Sequence, residues 1–330
     1  MQLERNERYW GPKPAYDQVA VRVITNDAAR EAALLAGDID LMENVPPDDV
    51  ARLRASQSIQ VFARAADRVV FLLPNTGADK LPLLTDKDGR PLDHNPLRDL
   101  RVRQAMSLAI DRAALVSQVL SGQGVPSMQI VPQGFLGWTP ALTVPKPDPA
   151  AARKLLAAAG YPDGFRMTLA CTNDRYIYDR RICQALAQML TRGGITTTVE
   201  ALPGSVFMAR TRIGKNDVPL ILYAISLSSL RDVAYILAMV HTADDANGFS
   251  GSRGGYSDPE LDRIIEAAVI RSDPGREAAL QHAQQEAIAR LGMVPLYHEP
   301  TIAAARSGIL YTPRIDQQMV ATGATPKGKP

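Results

Sequence analysis

Cysteine and histidine are scarce in this chain, with two of the first and four of the second among 330 residues. Cys171 and Cys183 are too few for a disulfide framework and do not have the spacing of a metal-ligand set. Sequence alone leaves them as two semi-buried thiols without a role, or as a pair that joins where the compartment is oxidising. The histidines stand apart from one another at positions 94, 241, 282 and 298. "HTADD" at His241 reads as a solvated loop or a metal-type cluster, and His298, beside Glu299 after an apolar run, reads as a structural histidine with its hydrogen bonds satisfied. One-sided charge is missing too. The 37 basic and 35 acidic residues give a formal net charge of +2 and form no basic run, so nothing electrostatic points to nucleic acid or an anionic membrane as partner. No apolar stretch approaches the roughly 18 residues of a membrane span, and Met1 to Leu3 lead straight into Glu4 and Arg5. The expectation is a soluble chain with no signal peptide of its own. Nucleophile-elbow, P-loop and dinucleotide fingerprints are absent, since "GFSGS" at Gly248 lacks the glycine needed two places after Ser250, and the Gly-rich "GSRGGYSD" precedes a helix with an acidic start. No motif calls for a cofactor or metal.

What is present is an ample supply of core. At 46% hydrophobic, the chain suffices for two domains or one large one. It opens with "RNERYWGPKPAYDQV", where Tyr9 and Trp10 run into Gly11, Pro12 and Pro14, the chemistry of a connection between packed elements. Gln18 to Thr25 alternates as a half-buried strand. A helix follows, capped by Asn26 or Asp27 and stopped by Gly37, and then "DIDLM" reads as a strand. That succession predicts a βαβ unit with parallel strands. "ADKLPLLTDKDGRPLDHNPLRD" reads as a surface connection. It leads to a helix with Val102, Ala105, Met106 and Ala109 on its core face, and Asp111 restarts a second helix that Gly122 ends. Asp148, Pro149 and Gly160 punctuate another helix, with Leu155 on its apolar face, and Ser257 with Glu260 has capping-box spacing. "FRMTLAC", "DRRICQALAQMLTRGG" and "ITTTVEAL" predict a second βαβ unit. The buried strand "VPLILYAI", a helix over Arg276–Leu291 and a short apolar "MVPLY" come next, and "GATPKGKP" reads as a disordered tail. The architecture is α/β with two sheet-building regions.

Five segments in order resemble the family 5 solute-binding proteins of ABC importers, the peptide, dipeptide and nickel-binding group. "RNERYWGPKPAYDQVAVRVI" is similar to that family's "RNPxYW…KPxLDxVxFRxI", "LLAGDIDLMENVPP" to "LxxGExDLxxxVPP", and "LRDLRVRQAMSLAIDRAAL" to "FxDxRVRQALxxAIDRxAL". "DPAAARKLLAAAGYPDGF" and "GGYSDPELDRIIEAA" resemble "DPxKAxxLLxEAGYPxGF" and "xxYSNPExDxLIxxA". The resemblance implies a periplasmic-binding-protein-like fold of class II, cluster C type, with two lobes of mixed sheets flanked by helices. In the family the "RNPxYW" segment follows a signal peptide and a whole subdomain, so the chain is expected to be a fragment with lobe I incomplete. Residues 1–69 and 300–330 would be the remainder of lobe I and 70–299 lobe II, crossing near "RVVFLLP" and "VPLYHEP". A fragment would leave apolar surface or a sheet edge open to self-association, whereas the full-length protein would be a monomer. The implied mechanism is capture of a small solute or short peptide between hinged lobes and delivery to a membrane permease, in the periplasm or its equivalent, with no catalysis. The implied ligand-binding residues are Glu43, Asn44, Phe71, Ser226, Ser228, Ser229, Asp232 and Asn247. Peptide-binding relatives carry an aspartate for the peptide amine where alignment here places Ser229, with Asp232 three residues on. Asp232 can instead serve a helix N-terminus, the three serines ordinary turns, Glu43 and Asn44 a solvated loop, and Asn247 a turn. Two other functions stay open: a ligand-sensing regulatory module of the same fold, and a small-molecule enzyme with catalytic groups spread over loops.

Overall fold

Asn26 turns an extended run into helix α1 (Asp27–Ala36) by accepting the Ala29 amide at 2.9 Å, and Gly37 closes it at φ 85°, where a side chain would also collide with Arg306. The computed structural model describes residues 1–227, 230–247 and 249–328. They form two units, one of residues 1–66 with 300–330 and the other of 67–299.

In the first unit, β1 (Gln2–Glu4) and β2 (Gln18–Ala20) form an antiparallel pair with Leu3 opposite Val19. β2 stops where its neighbour's hydrogen bonds stop, at Val21 against Met1, so the expected strand to Thr25 is cut short. β3 (Leu41–Glu43) belongs to another sheet. It runs antiparallel to the far half of β10 (Val294–Arg306), with Met42 opposite Ala304, so the expected parallel βαβ unit does not form. The core here is Leu34 of α1, Met42, Val45, Val50 and Leu53 of α2 (Val50–Ala55), Ile59 at the start of β4 (Ile59–Pro74), Ile302 and Ala304. "GATPKG" is not a loose tail: β12 (Ala324–Pro326) pairs with β11 (Ile309–Tyr311), and Lys327 donates to the Gly308 carbonyl. Trp10 is 91% exposed and lies against Tyr9 alone among aromatic rings, so the opening aromatics are not packed as the sequence suggests.

The second unit is built on a mixed sheet. The inner half of β4 pairs antiparallel with β9 (Leu220–Ile225), which runs parallel to β7 (Phe165–Thr172). On β7's other side, β8 (Ile195–Leu202) is parallel over its whole length, while β5 (Leu84–Thr85) joins β7 opposite β8, antiparallel at Met167 and Arg166. β7, α6 (Asp179–Arg192) and β8 make the βαβ unit that the sequence predicts, and α6 lays Ile182, Cys183, Leu186, Ala187 and Leu190 on the sheet at helical spacing. The supposed surface connection carries β5 and buries Leu81, Leu84, Asn95 and Leu97, because its apolar residues are too sparse to show a period yet fall on the sheet edge.

Helix α3 (Leu100–Ala109) buries the four residues expected and packs on α5 (Pro149–Ala158). In α5, Asp148 caps the Ala151 amide, but Ala152 and Leu156 face the core while Leu155 is half-buried. Asp111 caps the short α4 (Arg112–Ala114), which continues into a wider turn to Val119. β6 (Val125–Pro126) pairs with the near half of β10. α7 (Gly204–Arg210) and α8 (Ala234–Leu237) are short connections. α9 (Pro259–Val269) is capped by Asp258 and not by Ser257, since Asp258 accepts both the Glu260 and Leu261 amides with Pro259 at the first helical position. α10 (Arg276–Arg290) packs on α9.

Candidate functional site

At the carboxyl ends of the parallel strands β7 and β9, the second unit gathers arginine and tyrosine. Chain ends of this kind are where open α/β sheets commonly take ligands. The register that sets Phe71 opposite Tyr223 brings their rings to 5.9 Å. Two guanidinium groups stand over the Tyr223 ring, Arg253 at 5.0 Å and Arg175 at 5.6 Å. Arg175 also lies 5.3 Å from the Tyr176 ring, and Arg68 lies 5.9 Å from it. Each is within range of a cation–π attraction of about 0.5–2 kcal/mol.

Local chemistry explains the placement. Beyond β7 the loop 173–178 folds over Asp179, whose buried carboxylate accepts the Thr172 hydroxyl at 2.6 Å and the amides of Arg175, Tyr176 and Arg180 at 3.1, 3.3 and 2.9 Å. Tyr176 then reaches β9, where its hydroxyl donates to the Ala224 carbonyl and accepts the Ala224 amide, both at 3.2 Å. Burial pushes that hydroxyl up to about 12, so it stays protonated. On the other side, Gly254 lies so close to the end of β4 that a Cβ would overlap the Pro74 carbonyl, and its own carbonyl takes the Thr76 and Gly77 amides. This contact, with the bond from Arg253 to the Thr211 carbonyl at 2.9 Å, holds Arg253 over Tyr223.

Arg68 is neutralised by Glu299 at 3.2 Å. Among the described residues neither Arg175 nor Arg253 has an ion pair; Arg175 contacts the Met208 sulfur at 3.0 Å, and Arg253 binds only Thr211 oxygens. The patch therefore offers two cations on an aromatic floor with no carboxylate to answer them. No group of three or more His, Cys, Asp or Glu among the described residues could hold a metal ion.

The residues singled out from sequence are dispersed. Phe71 has no exposed surface and forms the base beneath Tyr223. Ser226 donates to the buried Asp67 at 2.5 Å, beside the patch. Ser228 and Ser229 lie outside the described residues. Asp232 caps the Ala234 amide at 2.8 Å and pairs with Arg276 at 2.5 Å, which engages both of its oxygens. Asn247 is exposed and bonds Asp244 in a turn. His241 is not a solvated loop residue: it is buried, stacked on Phe249 at 3.7 Å, with Nε2 3.1 Å from Glu266. Sequence reasoning missed Arg175, Tyr176, Tyr223 and Arg253, although "DRYIYDRR" directly after a strand is a signal of interleaved arginine and tyrosine.

Glu43 and Asn44 belong to the first unit. Asn44 sits at φ 56° at the end of β3, exposed, its carbonyl accepting from Arg30 at 2.9 Å. Glu43 accepts the Tyr311 hydroxyl; burial raises its carboxyl above the ordinary range, Tyr311 pulls it back, and Asp316 adds to the rise. A raised carboxyl means that the folded chain binds the proton more tightly than the unfolded one, so stability falls as pH rises through the glutamate range and above. Glu43→Gln, which keeps an acceptor for Tyr311, is expected to flatten that slope, as followed by urea titrations from pH 4 to 8. An unchanged slope would show that Glu43 does not contribute to it.

Residues 1–247 match the model of bacterial extracellular solute-binding proteins, family 5 Middle. The chain belongs to that family. Among its relatives, this family 5 chain is 24% identical over 328 residues to the probable D,D-dipeptide-binding periplasmic protein DdpA of Escherichia coli K12, an alignment covering 96% of the chain and 58% of DdpA. It is 25% identical over 306 residues to the glutathione-binding protein GsiB of Shigella dysenteriae, covering 90% of the chain and 55% of GsiB. The chain thus spans little more than half the length of these relatives. Solved structures agree on the fold. DppA of Helicobacter pylori in complex with the peptide STSA superposes with a TM-score of 0.79 at 22% identity, covering 99% of the chain and 60% of DppA. The dipeptide-binding protein of Pseudoalteromonas sp. SM9913 in complex with Met-Leu gives 0.77 at 21%, covering 99% and 61%. The family 5 chain has the fold of periplasmic binding proteins.

Proposed function

We propose that the chain is part of an extracytoplasmic substrate-binding protein of an ABC importer, which takes up a small solute or short peptide bearing a carboxylate, and passes it unchanged to a membrane permease. The observation that carries the ligand class is the pair Arg175 and Arg253, stacked on Tyr223 without a counter-carboxylate. A guanidinium held by an aromatic face is preorganised and still has N–H groups to offer, so an incoming carboxylate can be met by charge-assisted hydrogen bonds. The relatives named for D,D-dipeptides and glutathione, and the neighbours crystallised with STSA and Met-Leu, carry ligands with a carboxylate, which supports the reading. The match to a family of solute-binding proteins supports capture without turnover. Residues 1–66 with 300–330 then belong to one lobe and 67–299 to the other, and release requires the lobes to part.

Calorimetric titration of the intact protein with a dipeptide panel, each member as free acid and as C-terminal amide, tests this. The free acid should bind at least tenfold tighter than its amide, and Arg175→Gln or Arg253→Gln should each weaken the acid by about 10- to 100-fold while leaving the amide nearly unchanged. Equal binding of acid and amide would overturn the carboxylate assignment, and conversion of the ligand recovered from the protein would overturn the reading as a carrier.

A further inference from the structure

The only two cysteines of the chain lie against each other. Cys171 is on β7 and Cys183 on the first turns of α6, both fully buried where the helix packs on the strand, and Cys171 is the thiol whose presence acts on that of Cys183. Both are present as thiols. They bracket the segment 173–178 that carries Arg175 and Tyr176, with β7 ending at Thr172 and α6 beginning at Asp179. We propose that Cys171 and Cys183 are a modification site: they join as a disulfide that ties the base of the 173–178 loop to the sheet.

Geometry favours this bond over any other fate of the thiols. A disulfide bond is about 2.05 Å long, and two thiols buried where a helix packs directly on a strand can reach it with a small movement. With no third cysteine, no wrong pairing competes. The two sides of the cross-link are parts of one βαβ unit packed directly on each other, so little backbone has to shift. Burial and the neighbouring thiol push the Cys183 thiol well above its ordinary range, so the folded chain holds almost no thiolate there. The bond is therefore made before packing is complete, while a thiolate can still attack. In the balanced step one cysteine thiolate attacks the disulfide of an oxidant and releases one of its thiols. The second thiolate then displaces the other, so that two protein thiols become one disulfide and the oxidant becomes a dithiol. Extracytoplasmic thiol–disulfide carriers supply such an oxidant, and that supply alone rests on the proposed location; the packing of α6 on β7 does not.

The experiment refolds the whole chain from denaturant in glutathione buffer with the oxidised form in excess, quenches with an alkylating agent, and maps peptides without reduction. The expected result is a joined pair of peptides containing Cys171 and Cys183, two hydrogens lighter than the sum of the free ones. The oxidised chain should melt about 5 °C above the same chain treated with dithiothreitol. A Cys171→Ala, Cys183→Ala double variant should show no response to dithiothreitol. Alkylated free thiols after refolding, or glutathione attached to either cysteine, would overturn the proposal, as would equal melting of the oxidised and reduced chains. None of these readouts involves a ligand, so their failure is separate from a failure of the carrier reading.

Discussion

Asp179→Ala is expected to lower the unfolding free energy of the 67–299 unit by about 3 kcal/mol, the size of effect that follows removal of a buried acceptor serving several donors. The carboxylate takes the Thr172 hydroxyl and the amides of Arg175, Tyr176 and Arg180. Released, the loop 173–178 would keep the Tyr176 hydroxyl on β9 but lose the fixed heading of Arg175. Affinity for an anionic ligand should fall with stability. Asp179→Asn, which keeps one acceptor oxygen, should land between the two. Guanidinium titrations give the first quantity. A change below about 1 kcal/mol for the alanine variant would mean that water replaces the carboxylate at little cost, and that the loop has another anchor.

His298 gives the second large effect, and it depends on pH. The ring is fully buried on β10, and neither nitrogen has a hydrogen bond of normal geometry. Burial pushes it down to about 4 from 6.5, against a smaller opposing pull from the Val131 backbone. Between those values the unfolded chain holds a proton that the folded chain refuses, so stability is full above pH 6.5 and is lost as pH falls, by about 3 kcal/mol at pH 4. His298→Leu should abolish that share of the acid loss. Denaturation of both proteins at pH 7 and pH 4.5 isolates it as the difference between their two losses, since the remaining carboxylates are common to both. Parallel losses would mean that the folded ring is protonated at ordinary pH.

The two cases show what local reasoning can and cannot reach. Cap residues act over three or four positions, so Asn26, Asp148, Pro149 and Gly160 announce their helices from the sequence. They also show its grain: Ser257 and Asp258 are both good caps, and Asp258 is the one that accepts the Glu260 and Leu261 amides, with Pro259 at the first helical position. The unit from Phe165 to Leu202 is readable because its strands and helix are consecutive. β3 is legible as a strand but its pairing is not, for the opposite reason, since its partner, Ala303 to Ala305, is supplied from the far end of the chain. The candidate patch suffers most. Arg175, Tyr223 and Arg253 come from three segments and meet only through the register of β4, β9 and β7, which periodicity does not disclose. His298 looked like a satisfied structural histidine because its neighbours in sequence are benign, whereas the hydrogen bonds it goes without are a property of packing.

The way the chain enters and leaves β4 and β10 bears on how the protein is made. Residues 67–299 are one uninterrupted segment, while the other unit needs Leu34, Met42 and Ile59 from before that segment and Ile302 and Ala304 from after it. The first of these can therefore close as soon as its own segment has emerged into the compartment where the chain folds, but the second must hold its early apolar residues in waiting until Ile302 and Ala304 follow. Its high contact order makes that late closure the slow step of maturation, and the interval is when a chaperone would have something to hold.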